Sequence, residues 1–510
     1  MAIATIDPQL DPAQGPRRGA YPIPLSSATT AGFLGRTERG PVNEPLVVET
    51  FAEYCRFFGG HLADGAVSRA VHDFFLHGGR RAVIVRVTNR ARRARLDIPT
   101  DDDFLRLQAR HPGRHEILRV SIDYEQVDAD PYRFNLVVQR IGSSANRFIE
   151  DQELYPLISV RVGDARFSGD VIRQSRLIAL AGPVPARRPL AMPPRRPGEP
   201  VRYVDMTLTG DDGAELTDYD IIGSDRDGTG LFAFDRGPRL NLLAVPLPPE
   251  RELGTTAFVA ATRYCEGRRA LMIWDPPSSW RSVDAARIGS RRLDYASGNV
   301  LSYFPRIRPR GARARYAGGQ PACGAIAGML AQRDRRGVFG RDEDADYTLR
   351  VALTPVLAVS ALEAQRLARC GLNPFVHATG GTTRLLGRVT LAKSSLDRKR
   401  LMFFILNSIE DALAVAIAEG DRSAALSRVE WQIRRFFGDL HAHGALKGRT
   451  PGQAFYLQTS GNGGGGQAGL CFGVALGAAG QFAEYAVTLD GEQAGKIHQL
   501  TGFEAEQHLS

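Results

Sequence analysis

The sequence predicts an α/β fold: one discontinuous α/β core, formed by N- and C-terminal parts of the chain, with a β-rich insertion and extended terminal arms. Three observations lead there. An apolar helix face at Val67, Ala70, Val71, Phe74 and Phe75 stops at Gly78-Gly79 and is followed by the unbroken β-branched run "AVIVRV" (82–87). That is the helix-then-buried-strand pattern of a parallel sheet. From about 90 to 240 the period changes to two, as in "ILRVSIDY" (117–124) and "YRFNLVVQRI" (132–141), which reads as antiparallel strands joined by turns. After 240 the α/β pattern resumes in "LNLLAVP", the helix-like "TTAFVAATRYCEGRR" (255–269) and the buried strand "ALMIWDPP".

Taken in chain order, residues 1–25 are rich in Pro and Gly without any period and read as an extended N-terminal arm. Residues 26–90 form the first part of the core: the short strands "ATTAGFLG" (28–35) and "LVVET" (46–50), joined by the turn-rich "RTERGPVNEP", then the helix and strand above. The insertion takes 91–240 and includes the Pro-rich "PARRPLAMPPRRPGEP" (185–200), expected to be a flexible or polyproline-like surface segment. The core resumes over 241–345. A C-terminal domain follows over 346–480, with a helix at 401–418 that is apolar around most of its circumference and a second at 426–440. The second places Leu426, Val429, Ile433, Phe436, Phe437 and Leu440 on one face and Arg428, Arg434 and Arg435 on the other. Residues 481–510 hold a last strand, "FAEYAVTL" (482–489), and an arm.

At 510 residues the chain is long enough for more than one domain, and 43% hydrophobic with 24% charged residues is ordinary for a globular protein. The net charge of +9 is almost all arginine, since the only lysines are Lys393, Lys399, Lys447 and Lys496. The basic clusters "NRARRARLDIP" (89–99) and "RIRPRGARAR" (306–315) sit on no nucleic-acid module, so composition rather than a nucleic-acid partner accounts for them. Cys55, Cys265, Cys323, Cys370 and Cys471 form no C-x-x-C pair, which excludes zinc-site spacing and suits a reducing cytoplasm. The N-terminus has no apolar signal core, and "AGLCFGVALGAAG" falls short of the ~20 residues a bilayer span needs, so no direct membrane insertion is expected.

Few residues carry visible chemistry. Residues 461–466, Gly-Asn-Gly-Gly-Gly-Gly, have the G-x-G-x-x-G spacing of a dinucleotide loop. Such a loop must open a helix. Here Leu470, Phe472, Val474 and Leu476 alternate with small residues, so the glycines read as the tip of a hairpin. Asp275 ends a buried strand, where catalytic groups often collect, but the Pro-Pro after it favours a structural cap. His441 and His443 are spaced i, i+2 on a helix and face different ways, a poor metal pair. No G-x-S-x-G elbow or H-E-x-x-H helix is present. The chain therefore reads as a non-enzyme, with no catalytic residue, no cofactor and no metal.

The opening "SSATTAGFLGRTERGPVNEPLVVETFAEYCRFFGG" has a strand ending in Gly-Arg, then Arg-Gly-Pro, then an aromatic helix ending in Phe-Gly-Gly. There follow "AVHDFFLHGGRRAVIVRV", "LTDYDIIGSDRDGTGLFAFD", "YCEGRRALMIWDPP", "YFPRIRP", "GAIAGMLAQRDRRGVF", "GLNPFVHATGGTTRLLGRVTL" and "WQIRRFFGDLHAHGALKGRTPGQAFYLQ". In this order, and over nearly the full length, these stretches resemble the contractile tail sheath proteins of phages and phage-tail-like injection systems. The resemblance implies a homo-oligomer of six-membered rings stacked helically around an inner tail tube protein, bounded by baseplate and tail-terminator or cap proteins. It implies terminal arms that add strands to neighbouring subunits, here Tyr21, Ile23 and Leu25 at one end and Phe482, Tyr485, Val487 and Leu489 at the other. Arg428, Arg434 and Arg435 would then face the tube, and the insertion would face outward. Assembly in a bacterial cytoplasm, as part of a virion or a phage-tail-like particle, is implied as well. Two other readings stand beside it: a baseplate or cap component of the same machine, and a nucleotide-binding α/β enzyme using the glycine loop and Asp275.

Overall fold

Strand β1 (Thr30–Gly35), β2 (Leu46–Val48), helices α1 (Phe51–Phe58) and α2 (Ala66–Leu76), and β3 (Arg81–Arg86) open the chain in the order the apolar pattern dictates. Thr50 caps α1, its hydroxyl accepting the Glu53 N–H at 3.1 Å. β1 and β3 run parallel, with Phe33 opposite Ile84. This architecture comes from a computed structural model that describes residues 22–25, 28–60, 65–127, 129–142, 148–192, 202–293, 295–310, 319–335, 347–350, 353–377, 382–418, 422–460, 469–490 and 493–500.

The insertion comprises β4 (Arg95–Pro99), β5 (Phe104–Ala109), β6 (Leu118–Asp123), β7 (Arg133–Ile141), β8 (Ile149–Ser159), α3 (Ser168–Arg173), β9 (Ile178–Leu180) and β10 (Val204–Asp205). It forms two antiparallel sheets, β4-β5-β9 and β10-β6-β7-β8. They share a core that includes Leu105, Leu107, Val120, Phe134, Leu136 and Val138, all fully buried. That follows from the period-2 pattern, which puts one face of each strand on the partner sheet. Of the two alternatives for the Pro-rich stretch, a flexible or a polyproline-like surface segment, the contacts of residues 188–192 disfavour the flexible one. The first part of the stretch is tied down: Leu190 N–H donates to Pro99 O, Met192 N–H to Ile122 O and the Tyr124 hydroxyl to Pro189 O, at 2.7–2.8 Å. Arg188 lies over the Tyr124 ring at 3.6 Å and donates to the carbonyls of Val127 and Asp130. Residues 193–200 lie outside the described residues.

Core and insertion meet around Arg86, whose guanidinium is fully buried and donates to Gly40 O at 2.7 Å and Pro112 O at 2.8 Å. His111 sits in the same junction. Burial, with Arg86, Arg140, Arg110 and Arg93 around it, pushes its imidazole down to about 3. Burial also lowers the His77 imidazole. A histidine held neutral in the native state and free to protonate when unfolded contributes stability that is lost as pH falls through the unfolded value near 6.5. Lowering pH from 7 to 5 is therefore expected to cost about 2 kcal/mol through His111 alone. Urea unfolding of the wild type and His111→Gln at both pH values checks this, the variant losing less on acidification.

The chain then returns through α4 (Asp218–Ile222), a 3-10 turn (Gly230–Arg236), β11 (Leu242–Ala244), α5 (Thr255–Gly267), β12 (Leu271–Trp274), α6 (Val283–Arg291) and β13 (Val300–Phe304). β14 (Ile307–Pro309), α7 (Cys323–Arg335), β15 (Leu353–Pro355), α8 (Ala361–Ala368), β16 (Asn373–His377) and β17 (Thr383–Leu385) complete the core. Its sheet has the order β17-β16-β13-β12-β11-β1-β3-β2. The strands from β16 to β3 are parallel, and β17 and β2 run antiparallel at the two edges. One face is covered by α2 and α7, the other by α4, α5 and the 3-10 turn.

Two boundaries shift from the sequence reading. Ile221, Leu231 and Phe234 pack on the core sheet, so the chain re-enters the core before residue 240. Leu367, Leu372, Phe375 and Leu385 also belong to the core, which therefore runs well past residue 345. In both places packing against the sheet, rather than a local period, decides membership.

The last unit consists of α9 (Leu396–Ala418), α10 (Arg422–Ala442), α11 (Pro451–Ala454), β18 (Phe455–Ser460), β19 (Gly469–Val474), β20 (Ala483–Asp490) and β21 (Gln493–Gln499). The four strands form one antiparallel sheet in sequence order. The helix pair packs on it through Ile405, Ile409, Val429, Ile433, Phe437 and Phe472.

Candidate assembly surface

Among the described residues no group of three or more His, Cys, Asp or Glu is placed to hold a metal ion. Asp275, His441 and His443 are each engaged in structure. The Asp275 carboxylate accepts the N–H groups of Ala322 (2.6 Å) and Cys323 (3.1 Å) and so caps α7, 47 residues on, rather than its own turn. Burial pushes that carboxyl up. His443 Nδ1 lies 2.7 Å from Asp439 O and His441 Nε2 lies 3.1 Å from Gly448 O, so the two rings serve different carbonyls. The glycine loop at 461–466 lies outside the described residues, but the strands on either side pair antiparallel, Ser460 opposite Gly469. A strand, not a helix, follows the glycines.

The C-terminal unit is coupled to the core by ion pairs. Arg400 of α9 pairs with the buried Asp334 of α7, which also accepts the Thr29 hydroxyl at the entrance to β1. Asp397 of α9 pairs with Arg333 of α7 and, at 3.0 Å, with Arg388. Farther along α9, Glu410 binds Arg239 at 2.9 Å and Arg269 at 2.8 Å. The beginning and the middle of one helix are therefore both fastened to core residues.

The expected arm residues fall around this unit. Ile23, 7% exposed, belongs to the C-terminal apolar core and Leu25 packs against it. The chain then crosses to β1 in the other core, so the N-terminal segment straps the two together. Tyr21 lies outside the described residues. Phe482 meets the Tyr456 ring edge-on at 5.1 Å. Tyr485 stacks on Phe472 at 5.6 Å, and Val487 is fully buried. Leu489 pairs with Ala494 in the β20–β21 ladder. Within one chain both edges of β20 are hydrogen-bonded, to β19 and to β21, so the sheet's open edges are β18 and β21. Sequence reasoning missed β21, whose "QAGKIHQ" has almost no apolar alternation.

This architecture can be set beside solved structures. It resembles the sheath tail protein of Listeria innocua, with TM-score 0.62 and 10% identity over 91% of this chain and 96% of that one. It also resembles the sheath tail protein of Desulfitobacterium hafniense, with TM-score 0.53 and 12% identity over 94% and 97% of the two chains. A third likeness is to the PVC sheath complex of an extracellular contractile injection system in its contracted state, with TM-score 0.51 and 13% identity over 99% and 100%. The chain has the tail sheath protein fold. No protein-family model and no curated protein matches the sequence, so the likeness lies in the structure.

Within the sheath fold the three candidate tube-facing arginines lie along α10, opposite its buried stripe. Arg434 pairs with Glu430 at 2.9 Å, one turn back. Arg435, about half exposed, reaches Asp439 at 3.9 Å and lies over the Trp431 ring at 5.5 Å. Arg428 is half-buried on the same helix. Paired charges on a helix surface are worth little to stability. No helix among the described residues is long and apolar enough to cross a membrane.

Proposed function

We propose that the protein is the structural subunit of a contractile tail sheath. It polymerises as stacked hexameric rings around an inner tail tube and contracts from a metastable extended state to drive the tube through a target membrane. One observation carries this reading: the fold likeness to sheath proteins spans nearly all of this chain and nearly all of each of theirs. The terminal segments 21–25 and 482–489 are the exchangeable arms. The intrachain β19–β20 ladder is the closed form of a contact that a neighbouring subunit makes in the polymer, as in domain swapping. The arms hold the rings together while the rigid units rotate and slide. Arg428, Arg434 and Arg435 face the tube protein, the insertion faces outward, and baseplate and cap proteins close the ends. The particle assembles in the bacterial cytoplasm, and the work comes from packing rather than nucleotide turnover.

Negative-stain electron microscopy of the purified protein, alone and with its tube protein, tests this. Hollow, cross-striated tubes are expected. Small discrete particles that persist with the tube protein present would overturn the main-sheath reading. Binding only at the ends of preformed tubes would make the protein a cap or baseplate component instead.

A further inference from the structure

The insertion leaves and rejoins the core through two chain crossings that run side by side. Ala214 N–H donates to Asn89 O at 2.9 Å, Arg92 and Asp211 exchange both backbone bonds at 3.1 Å, and Arg95 and Leu208 exchange theirs at 2.8 and 3.0 Å. A two-stranded ribbon of this kind is a compliant joint, only marginally stable when it stands alone. Beyond it the insertion keeps its own buried apolar cluster, separate from the two clusters of the core. Two bodies with separate cores move relative to each other unless their contacts hold them. Arg86 fixes Pro112 at the neck itself, since the neighbouring Gly113 N–H donates to Arg92 O at 3.2 Å. Two further contacts reach the body of the insertion from one core loop. Arg39 pairs with Glu150 of β8, both side chains mostly buried, and Glu38 Oε1 lies 3.4 Å from His115 Nδ1.

Both partners of the Arg39–Glu150 pair are held in place for it. On the core side the Arg39 N–H donates to Phe58 O at 3.1 Å and its guanidinium to Cys55 O at 3.4 Å, so α1 sets its position. On the insertion side Glu150 is the extra residue of a β-bulge. Ile141 pairs with Ile149 and Arg140 with Asp151, which leaves Glu150 outside the β7–β8 ladder. A bulge re-aims a side chain out of the strand's alternation, and here it turns Glu150 toward the core. We infer that the Arg39–Glu150 pair is a latch that sets the angle between insertion and core. When it opens, the insertion swings as one body on the neck formed by residues 89–95 and 208–214, a hinge built from a few strand-end positions. This inference does not rest on the sheath reading, because it concerns how two parts of one chain are joined.

The test is a pulsed EPR distance measurement on the full chain, with spin labels carried by p-acetylphenylalanine so that the native cysteines stay. One label pair spans the neck, at the exposed positions of Arg173 in α3 and Arg226 in the core. A second pair, at the exposed positions of Arg133 and Arg173, lies within the insertion. Arg39→Ala and Glu150→Ala are each expected to widen the 173–226 distance distribution at least two-fold and to leave the 133–173 distribution unchanged. The double variant is expected to be no wider than either single one, the mark of two groups acting as one contact. Unchanged 173–226 widths in the single variants would overturn the proposal. So would widening that adds in the double variant, or equal widening within the insertion, which is unfolding rather than a swing. Glu150→Gln keeps the shape of the side chain but not its charge. It is expected to widen the 173–226 distribution as well, and it is read in the same way where an alanine variant does not fold.

Discussion

Gly324→Val is expected to abolish recovery of folded, soluble protein. Helices α2 and α7 touch at Gly324 and Gly328 on the buried face of the core sheet. A Cβ at Gly324 would stand 2.0 Å from Ala70 O, and one at Gly328 would stand 2.4 Å from Phe74 O. These obstacles are backbone atoms, so no rotamer change relieves them, and the helices must separate along their contact. Ordinary core overpacking costs about 1–3 kcal/mol. Forced helix separation exceeds that range and takes much of the roughly 5–15 kcal/mol of a typical domain. Gly438→Ala is the matched control: it lies inside α10 and has nothing within 4 Å of a new Cβ. It is expected to stabilise by up to about 1 kcal/mol through helix propensity. Thermal unfolding of both variants checks the pair.

Arg86→Met is expected to cost about 3 kcal/mol, because it removes two charge-assisted hydrogen bonds and leaves buried carbonyls without a donor. The loss should be local in origin, since Gly40 belongs to the core and Pro112 to the insertion. Limited proteolysis should therefore cut the connections between the two units before global unfolding, which wild type should resist. Arg86→Lys should recover part of the loss, since a single nitrogen serves both carbonyls and an ammonium has the protons to do so, but on a shorter side chain.

Elements with a strong period were legible in the sequence. α2 and β3 follow their apolar spacing, and the alternation of β6 and β7 gives the sheet that buries Val120 and Val138. What was illegible was held by distant contacts. Segment 214–240 is built from a five-residue helix and a 3-10 turn, too short to show any period, and only its packing on β1 and β11 assigns it to the core. β15 and β17 are three-residue strands whose register is set by partners elsewhere in the chain. Ile23 looks like one apolar residue in a Pro-rich arm, and its neighbours come from Leu401 onward. The strand after the glycines was readable because its residues alternate, and it pairs antiparallel with the strand before them, while residues 461–466 lie outside the described residues. The pairing of β20 with β21 was not readable, because backbone groups make it and side chains barely mark it.

The place of β1 inside the core sheet has a consequence for synthesis. β1 is flanked by β3, available almost at once, and by β11, which follows some 155 residues after β3. At translation rates of roughly 5–20 residues per second, one side of β1 waits about 8–30 s for its partner. The insertion can complete its own two-sheet core during that interval. Until Leu242 emerges from the ribosome, the half-made sheet presents a bare, apolar edge beside other nascent chains of the same protein, the situation in which strands pair with the wrong copy. Production in cells should therefore be limited by crowding on polysomes, and slower initiation should raise the soluble yield.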